Sequence, residues 1–291
     1  CVRSGVTTVA LNASQSYGEL NKASQQLENG RYAMQVLRDD VRHAGFYGEY
    51  TALVTPASLA DPCSVSLSVL QISINSPVQG YAGASSAPVS CLANYQPGTD
   101  VLVVRRASTS TVVASTLTAT DVYVQGKGEV FVMRDGSDAT VFSLKQVDGV
   151  TPAPIRKYLV NVYYIRSCSD CSGSGDGIPT LVRRELQGGA FTTVSIAEGI
   201  EDMQLRYGLD ADNKGGASEY SSTLAFADIP TVVAVEINLL ARAVEQSPTT
   251  VSDKTFVLDA DEDAKSYDGD FRRHAFNAVV RAVNLSGRRE I

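Results

Sequence analysis

The first forty-five residues contain an apolar repeat that constrains the fold more than any other feature of the sequence. Leucine, methionine and valine recur every seven residues, and other apolar residues fall beside them at offsets of three and four. This spacing predicts one apolar stripe along a long α-helix. We expect the helix to end at Ala44 and Gly45, because glycine adopts the left-handed conformation that closes helices. Gly30 interrupts the pattern and predicts a bend. The stripe consists of Leu20, Leu27, Met34 and Val41, flanked by Ala13, Tyr17, Leu37 and Ala44.

From about residue 49 onward, the sequence has the alternating and buried apolar patterns that are typical of β-strands. Glycine-containing turns separate the strand candidates with little helical pattern between them, which favours mostly antiparallel sheets. We predict an α+β fold, with a helical stem over residues 1–48 and one elaborated β-rich head over residues 49–291. Residues 65–74 are expected to form one bulged strand or two short ones, and residues 75–99 a loop. Further predicted strands cover residues 101–104, 121–125, 129–133, 140–144, 159–165, 181–186, 203–207, 232–240 and 276–283.

The composition describes a globular chain with an acidic surface. Hydrophobic residues make up 44% and charged residues 20% of the 291 residues, which is typical of a folded protein. The chain has 25 Lys and Arg against 32 Asp and Glu, and its net charge of −7 repels phosphate backbones. No specific nucleic-acid partner is therefore predicted, although Arg105 with Arg106 and Arg183 with Arg184 form local basic pairs. No stretch approaches 18 consecutive apolar residues, so no membrane-spanning helix or signal peptide is expected in this sequence.

Five cysteines favour an oxidising compartment. Cys63 and Cys91 lie in turn-rich segments, which suits a loop-closing disulfide. Cys168 and Cys171 permit a redox couple, half a zinc site or a short structural disulfide. We favour the disulfide, because a Gly and Ser loop follows where a redox thiolate needs a helix, and no other Cys or His repeats a zinc-ligand spacing. Cys1 is either a lipidated terminus or a fragment boundary. We expect the boundary, because the next residues have the pattern of a helix interior.

Motifs for catalysis or cofactor binding are missing. The sequence lacks Gly-x-Ser-x-Gly, His-Glu-x-x-His and a phosphate-binding glycine loop, and it holds only two histidines. A hydrolase built on two carboxylates stays open, because such acids meet in space without a spacing rule. Asp210, Asp212 and Glu219 begin like a calcium loop, but Lys214 and Ser221 stand at ligand positions, so a solvated hairpin is favoured. We therefore expect no enzyme, no cofactor and no metal site.

Several phrases spread along the chain carry a family resemblance. The segment QQLENGRYA at residues 25–33 leads to LRDDVRHAGFYG at residues 37–48, and four later phrases follow in order. As a set they resemble the PilW-type minor pilins of the type IV pilus, which are similar to the J-type pseudopilins of type II secretion. The later phrases lie at residues 98–108, 162–166, 177–186 and 198–208.

The resemblance implies a non-catalytic structural subunit with a pilin-like fold. An apolar N-terminal helix holds such subunits in the inner membrane, facing the periplasm, until they assemble. They then join other minor pilins and the major pilin in a complex that initiates the fibre and lies at its tip beneath a PilY-type adhesin. A place in the cell-surface fimbrium, with adhesion and twitching motility as its functions, is implied as well. The apolar half of the stem, its glutamate and the peptidase site are not in this sequence, so we expect a form that lacks them.

The stem divides into two predicted surfaces. Residues before Tyr17 have little downstream sequence to bury them and, together with Tyr17, are the predicted subunit interface. Residues from Leu20 onward are predicted to pack on the head. Two alternatives stay open, namely a type II secretion pseudopilin and a surface-binding lipoprotein module. The predicted interface residues are Val6, Val9, Ala10, Ala13 and Tyr17, and the predicted packing residues are Leu20, Leu27, Met34, Leu37 and Val41.

Overall fold

The N-terminal segment forms one long helix. A computed structural model describes residues 2–56, 58–247, 254–261 and 263–289, with the side chains of the first helix from Tyr17 onward. Helix α1 covers Val2–His43, and its 42 residues correspond to a length of about 63 Å. The helix ends where the sequence predicts. The Ala44 amide donates to the Val41 carbonyl at 3.1 Å, and Gly45 follows with a φ of +73°, which glycine adopts at little cost.

Strands dominate the rest of the described chain. They form an eight-stranded sheet, a four-stranded sheet and a two-stranded ribbon. The elements are β1 Glu49–Tyr50, α2 Leu67–Ser73, β2 Val78–Tyr81, β3 Val101–Ala107, β4 Val122–Gly128, β5 Val130–Asp135, β6 Arg156–Arg166, β7 Thr180–Gln187, β8 Ala190–Glu198, β9 Ile200–Leu209, β10 Glu219–Ser221, β11 Val232–Arg242, β12 Thr255–Phe256, β13 Lys265–Ser266, β14 Arg273–Arg281 and α3 Val283–Ser286.

The two larger sheets are built almost entirely from antiparallel pairs. The first sheet has the order β1-β4-β6-β3-β2, with β5 paired to β4, β7 paired to β6, and β8 paired to β7. Only β1 and β4 run parallel among the paired strands that the structure describes. The second sheet has the order β10-β9-β11-β14, and its strands are antiparallel throughout. Strand β14 is therefore an edge of the second sheet.

Helix α1 and both sheets share the larger hydrophobic core. Leu37 and Val41 of α1 are fully buried in one cluster with Leu102 of the first sheet and Leu239 of the second. Alternate residues of β3 point to opposite faces, so Val103 lies in a separate core on the other side of the first sheet. Because both faces of β3 are buried, its sequence is a continuous apolar run rather than an alternating one.

The predicted strand over residues 65–74 is wrong, because this segment contains helix α2. Leu67, Leu70 and Ile74 are three and four residues apart, which is the spacing of one helical face. Leu70 and Ile74 are buried on that face. The serines between them suggested alternation, but a short apolar run is compatible with both periods.

Two further segments differ from the prediction. Residues 75–99 were expected to be loop throughout, but β2 pairs with β3 from Val78 to Tyr81. Residues 140–144 were expected to form a strand, but a 3-10 helix covers Ala139–Val141. There the Asp138 carboxylate accepts the Thr140 amide at 2.9 Å, and such a local bond competes with strand pairing. Strand β8 was not predicted at all.

The predicted α+β class is confirmed. A long N-terminal helix packs on mostly antiparallel sheets, and large loops connect the strands.

Candidate assembly surface

The buried stripe of α1 is shorter than the seven-residue repeat suggests. Met34, Leu37 and Val41 are buried against the sheets, and Leu27 is half-buried. Leu20, which was predicted to pack on the head, is instead 66% exposed. A strict seven-residue repeat drifts by about 20° per heptad around a straight α-helix. Leu20 is three heptads from Val41, so it is rotated by about 60° from the buried face.

The upstream part of α1 presents apolar side chains to solvent. Tyr17 is 70% exposed and lies three residues before Leu20, on the same side of the helix. The other predicted interface residues belong to the helical backbone, but their side chains lie outside the described part of the structure, as does Cys1 altogether. These side chains are those of Val6, Val9, Ala10 and Ala13.

Polar contacts fasten α1 to the second sheet before its apolar contacts begin. Glu19 accepts hydrogen bonds from the Ser247 hydroxyl at 2.5 Å and from Arg272 Nε at 3.0 Å. The bond from Ser247 contributes most to lowering the pKa of Glu19 from its ordinary value. About two helical turns further on, Gln26 is buried and donates to the Ala241 carbonyl at 2.7 Å.

A buried ionic cluster fixes the other end of α1 to the first sheet. Asp40 is 4% exposed and accepts from Arg106 Nε at 2.5 Å, Asn161 Nδ2 at 2.7 Å and the Tyr163 hydroxyl at 2.9 Å. A buried carboxylate is tolerated when it is paired and its remaining lone pairs are bonded. Asp40 meets this condition and thereby fixes the rotation of α1 about its own axis. Its neighbour Asp39 is exposed.

The basic pairs noted in the sequence, Arg105 with Arg106 and Arg183 with Arg184, bond to other groups of the same chain. Arg105 is fully buried and donates to backbone and amide oxygens, and Arg106 pairs with Asp40. On β7, Arg183 pairs with a glutamate of its own strand, and Arg184 donates to a backbone carbonyl at 2.8 Å. These guanidinium groups serve packing and pairing within the chain.

Both predicted cysteine pairs are disulfides in the structure. Cys63 bonds to Cys91, which closes a loop of 28 residues around α2 and β2. Cys168 bonds to Cys171 at the start of the loop between β6 and β7. In that loop Asp176 accepts the Ser169 amide at 3.0 Å, and this bond helps to order the segment. Among the described residues, no group of His, Cys, Asp and Glu has the arrangement of a metal site.

The residues considered for calcium do not converge. Asp210 is fully buried and pairs with Arg289 Nε at 2.6 Å, and two backbone amides of the following turn donate to the same carboxylate. The Arg289 bond contributes most to lowering the pKa of Asp210. Asp212 pairs with Lys214 on the surface, and Glu219 is exposed on β10. Asp210 therefore organises a turn with its lone pairs.

Two buried carboxyl groups escaped sequence reasoning. Asp100 accepts the Gly83 and Leu205 amides at 2.7 Å each, and burial raises its pKa to about 7. Burial also raises the pKa of Asp202, which accepts the Tyr267 hydroxyl at 2.6 Å. Their partners come from residues as many as 105 positions away, and no spacing in the sequence reports such contacts.

The region from β6 to α3 carries the similarity to known proteins. The family model of PilW, the type IV pilus-assembly protein W, matches residues 162–284. The resemblance to PilW is confirmed. This PilW-like region contains the whole second sheet. At its upstream border lies the part of β6 that contacts α1 through Asn161 and Tyr163.

Comparison with solved structures and curated proteins adds two findings. The type IV-like pilin TTHA1219 from Thermus thermophilus is similar at 10% identity and a TM-score of 0.41, with 89% of this chain and 96% of that chain covered. A comparison with curated proteins found no match. Over the described residues, no helix combines the length and the apolar character needed to cross a lipid bilayer.

Proposed function

We propose that this protein is a non-catalytic minor pilin of the type IV pilus, which helps to initiate pilus assembly and forms part of the tip complex. The observation that carries the proposal is the division of α1. Contacts from Glu19 to Val41 attach one face of the helix to the head, while Tyr17 and Leu20 are exposed on another face of its upstream part. The attached face holds the subunit together, and the exposed face is available to neighbouring subunits.

The PilW match supports this assignment, because that family is described as acting in type IV pilus assembly. Other minor pilins and the major pilin are then the expected neighbours of the upstream helix, and a PilY-type adhesin is the expected neighbour at the tip. Such a subunit resides in the inner membrane and periplasm before assembly and on the cell-surface pilus afterwards.

The buried charges of the protein suit a structural role. Asp40 joins α1 to the first sheet, and Asp100 joins the start of β3 to the edge of β9. Each carboxylate has its oxygens bonded within the fold, so it holds elements together rather than awaiting a substrate. A subunit that transmits tension between a helix in the fibre and a head at the surface requires such rigid attachment.

A complementation experiment tests the proposal. The gene is deleted in its native host and restored as the wild type, as the double variant Tyr17→Asp/Leu20→Asp, or as the control Asn21→Asp. All three sites are exposed, so each variant should fold and accumulate normally. Pili are counted by electron microscopy, and minor pilins that co-purify with the protein are measured.

We expect few pili without the gene and full recovery with the wild type and with Asn21→Asp. The double variant should restore neither pili nor co-purification, because two new charges would be desolvated in the subunit contact. Normal piliation without the gene would refute a role in assembly. Normal piliation with the double variant would refute the role of the exposed helix face. Co-purification with a secretion apparatus instead of pilins would support a pseudopilin.

A further inference from the structure

The outer edge of β14 is an open strand edge. On its inner side, β14 pairs with β11 over nine residue pairs, from Arg273 to Arg281. No strand pairs with its outer side among the described residues. An exposed edge of this length presents a row of backbone N–H and C=O groups that can add another strand, and proteins normally cover or shorten such edges. On the opposite side of this sheet, the short strand β10 pairs with residues 207–209 of β9. Further along β9, the Asp100 amide donates to the Met203 carbonyl, and the Asp100 carboxylate accepts the Leu205 amide.

Helix α1 runs alongside β14 for most of the strand. Near the start of the strand, Glu19 contacts Arg272 at 3.0 Å, and beyond its end the Asn284 amide donates to the Arg42 carbonyl at 3.4 Å. Sequence order therefore increases in the same direction along both elements. A groove of about 520 Å³ lies between the outer face of α1 and the middle of β14.

The helix side of this groove is basic. It is lined by Arg31, Arg38 and Arg42, and Asp39 is its one carboxylate. The three arginines are exposed and form no ion pair with any described residue. The lining thus carries a net charge of about +2 in a chain whose overall charge is −7. Three arginines that pair with none of the described acidic residues, beside an open strand edge, make a surface that is complementary to an acidic peptide chain.

We propose that this groove binds an extended acidic segment of a partner protein, which adds to the second sheet as a strand on the outer edge of β14. The backbone of the segment would pair with β14, and its acidic side chains would face α1. Arg31 and Arg42 are separated by eleven residues, or about 16 Å along the helix. Acidic residues at three alternate positions of a strand span about 14 Å, so their overall span is close to that of the three arginines.

The binding mode does not depend on the proposed function. Only the identification of the partner as another pilus subunit rests on the proposed function. The two can fail separately. A failure of strand addition in vitro would not affect the piliation results, which test Tyr17 and Leu20. Normal piliation without the gene would leave the acidic-strand surface in place with a different biological partner.

Peptide binding to the purified full chain tests the proposal. The probe is a fluorescein-labelled, acetylated peptide with four Thr-Glu repeats. One control peptide replaces every Glu with Lys, and another carries N-methyl groups at alternate backbone nitrogens. Binding is measured by fluorescence anisotropy at low and high salt, and hydrogen exchange maps the protected backbone amides.

The matched protein variants remove equal charge in different places. The groove variant carries Arg31→Gln, Arg38→Gln and Arg42→Gln. The control variant carries Lys127→Gln, Arg134→Gln and Lys145→Gln, which lie outside the groove lining. Circular dichroism and thermal unfolding verify that both variants are folded, and Arg38→Gln alone serves as a milder second variant.

We expect saturable, salt-sensitive binding of the Glu peptide with new protection over residues 273–281. The groove variant should bind at least tenfold more weakly and Arg38→Gln at an intermediate level, while the control variant should bind like the wild type. The Lys and N-methyl peptides should not bind. Equal binding of either control peptide, equal loss in both triple variants, protection elsewhere, or no binding would overturn the proposal. Self-association that the groove variant abolishes would overturn it as well, because the occupant would then be a second copy of this chain.

Discussion

Replacing Asp40 with alanine should destabilise the protein more than any exposed change on α1. In the wild type, Arg106, Asn161 and Tyr163 donate to the Asp40 carboxylate at distances of 2.5 to 2.9 Å. The substitution removes this shared acceptor. Removing one partner of a buried ion pair costs about 3 to 5 kcal/mol, because the other charge stays buried and unpaired. The Arg106 side chain is 20% exposed and can reach water in part, so we expect about 3 kcal/mol.

Asp39→Ala provides the matched control for this measurement. Asp39 is the preceding residue of the same helix and is exposed, so its replacement should change the free energy of unfolding by less than about 0.5 kcal/mol. Urea unfolding followed by circular dichroism compares both variants with the wild type. A double-mutant cycle with Arg106→Met should recover part of the loss, since it removes the stranded cation. If Asp40→Ala and Asp39→Ala unfold at the same urea concentration, the ionic cluster does not hold α1 to the first sheet.

Three other predictions follow from single contacts. The pKa of Asp100 rises from 3.8 to about 7 on folding, so its contribution to stability is complete below pH 4 and is lost as the pH rises towards 7. The loss amounts to about 4 kcal/mol in total. The free energy of unfolding, measured by urea unfolding at a series of pH values, should fall over this range, and Asp100→Asn should remove most of that pH dependence. Gly30→Ala should destabilise the protein by about 1 to 3 kcal/mol, because the new Cβ would lie 2.1 Å from the Phe276 ring. In the control Gly18→Ala the new Cβ meets nothing within 4 Å, so this variant should be stabilised by up to about 1 kcal/mol. Equal effects of the two variants in thermal unfolding would contradict the contact with Phe276. Cys63→Ser opens a loop of 28 residues and should cost about 3 to 4 kcal/mol. A reducing agent, which also opens the Cys168–Cys171 bond, should destabilise the wild type by more than it destabilises Cys63→Ser, and equal losses in urea unfolding would contradict the role of the larger loop.

The long helix could be read from the sequence because its signals are local. Apolar spacing, the terminal glycine and the absence of proline lie within one segment, and the structure follows them to His43. The same pattern misled at Leu20, because a seven-residue repeat matches the α-helix only over two or three turns. Gly30 predicted a bend from the sequence, and the structure adds a contact that the sequence did not report: the ring of Phe276, a residue more than 240 positions away, packs against Gly30.

The surfaces that matter for function depend on contacts between distant residues. Asp40 and Asp100 are ordinary acidic residues in sequence, and only the fold brings them to partners that are 66 to 123 positions away. The period-2 pattern predicted β14 but not that one of its edges is open, since edge position is a property of sheet order. The failure at α2 was of a different kind, because seven residues are too few to separate a helical period from a strand period.

The two edges of the second sheet are treated in opposite ways, and this asymmetry bears on how the subunit assembles. On the β9 side, β10 pairs with residues 207–209, and the buried Asp100 carboxyl group accepts the amide of Leu205 just before them. At the β14 edge the chain leaves nine residues uncovered among the described residues and places Arg31, Arg38 and Arg42 beside them. A sheet that β10 and Asp100 shield on one side, and that is open on the other side beside the stem helix, would accept an added strand at β14, which would give the proposed contact a single direction.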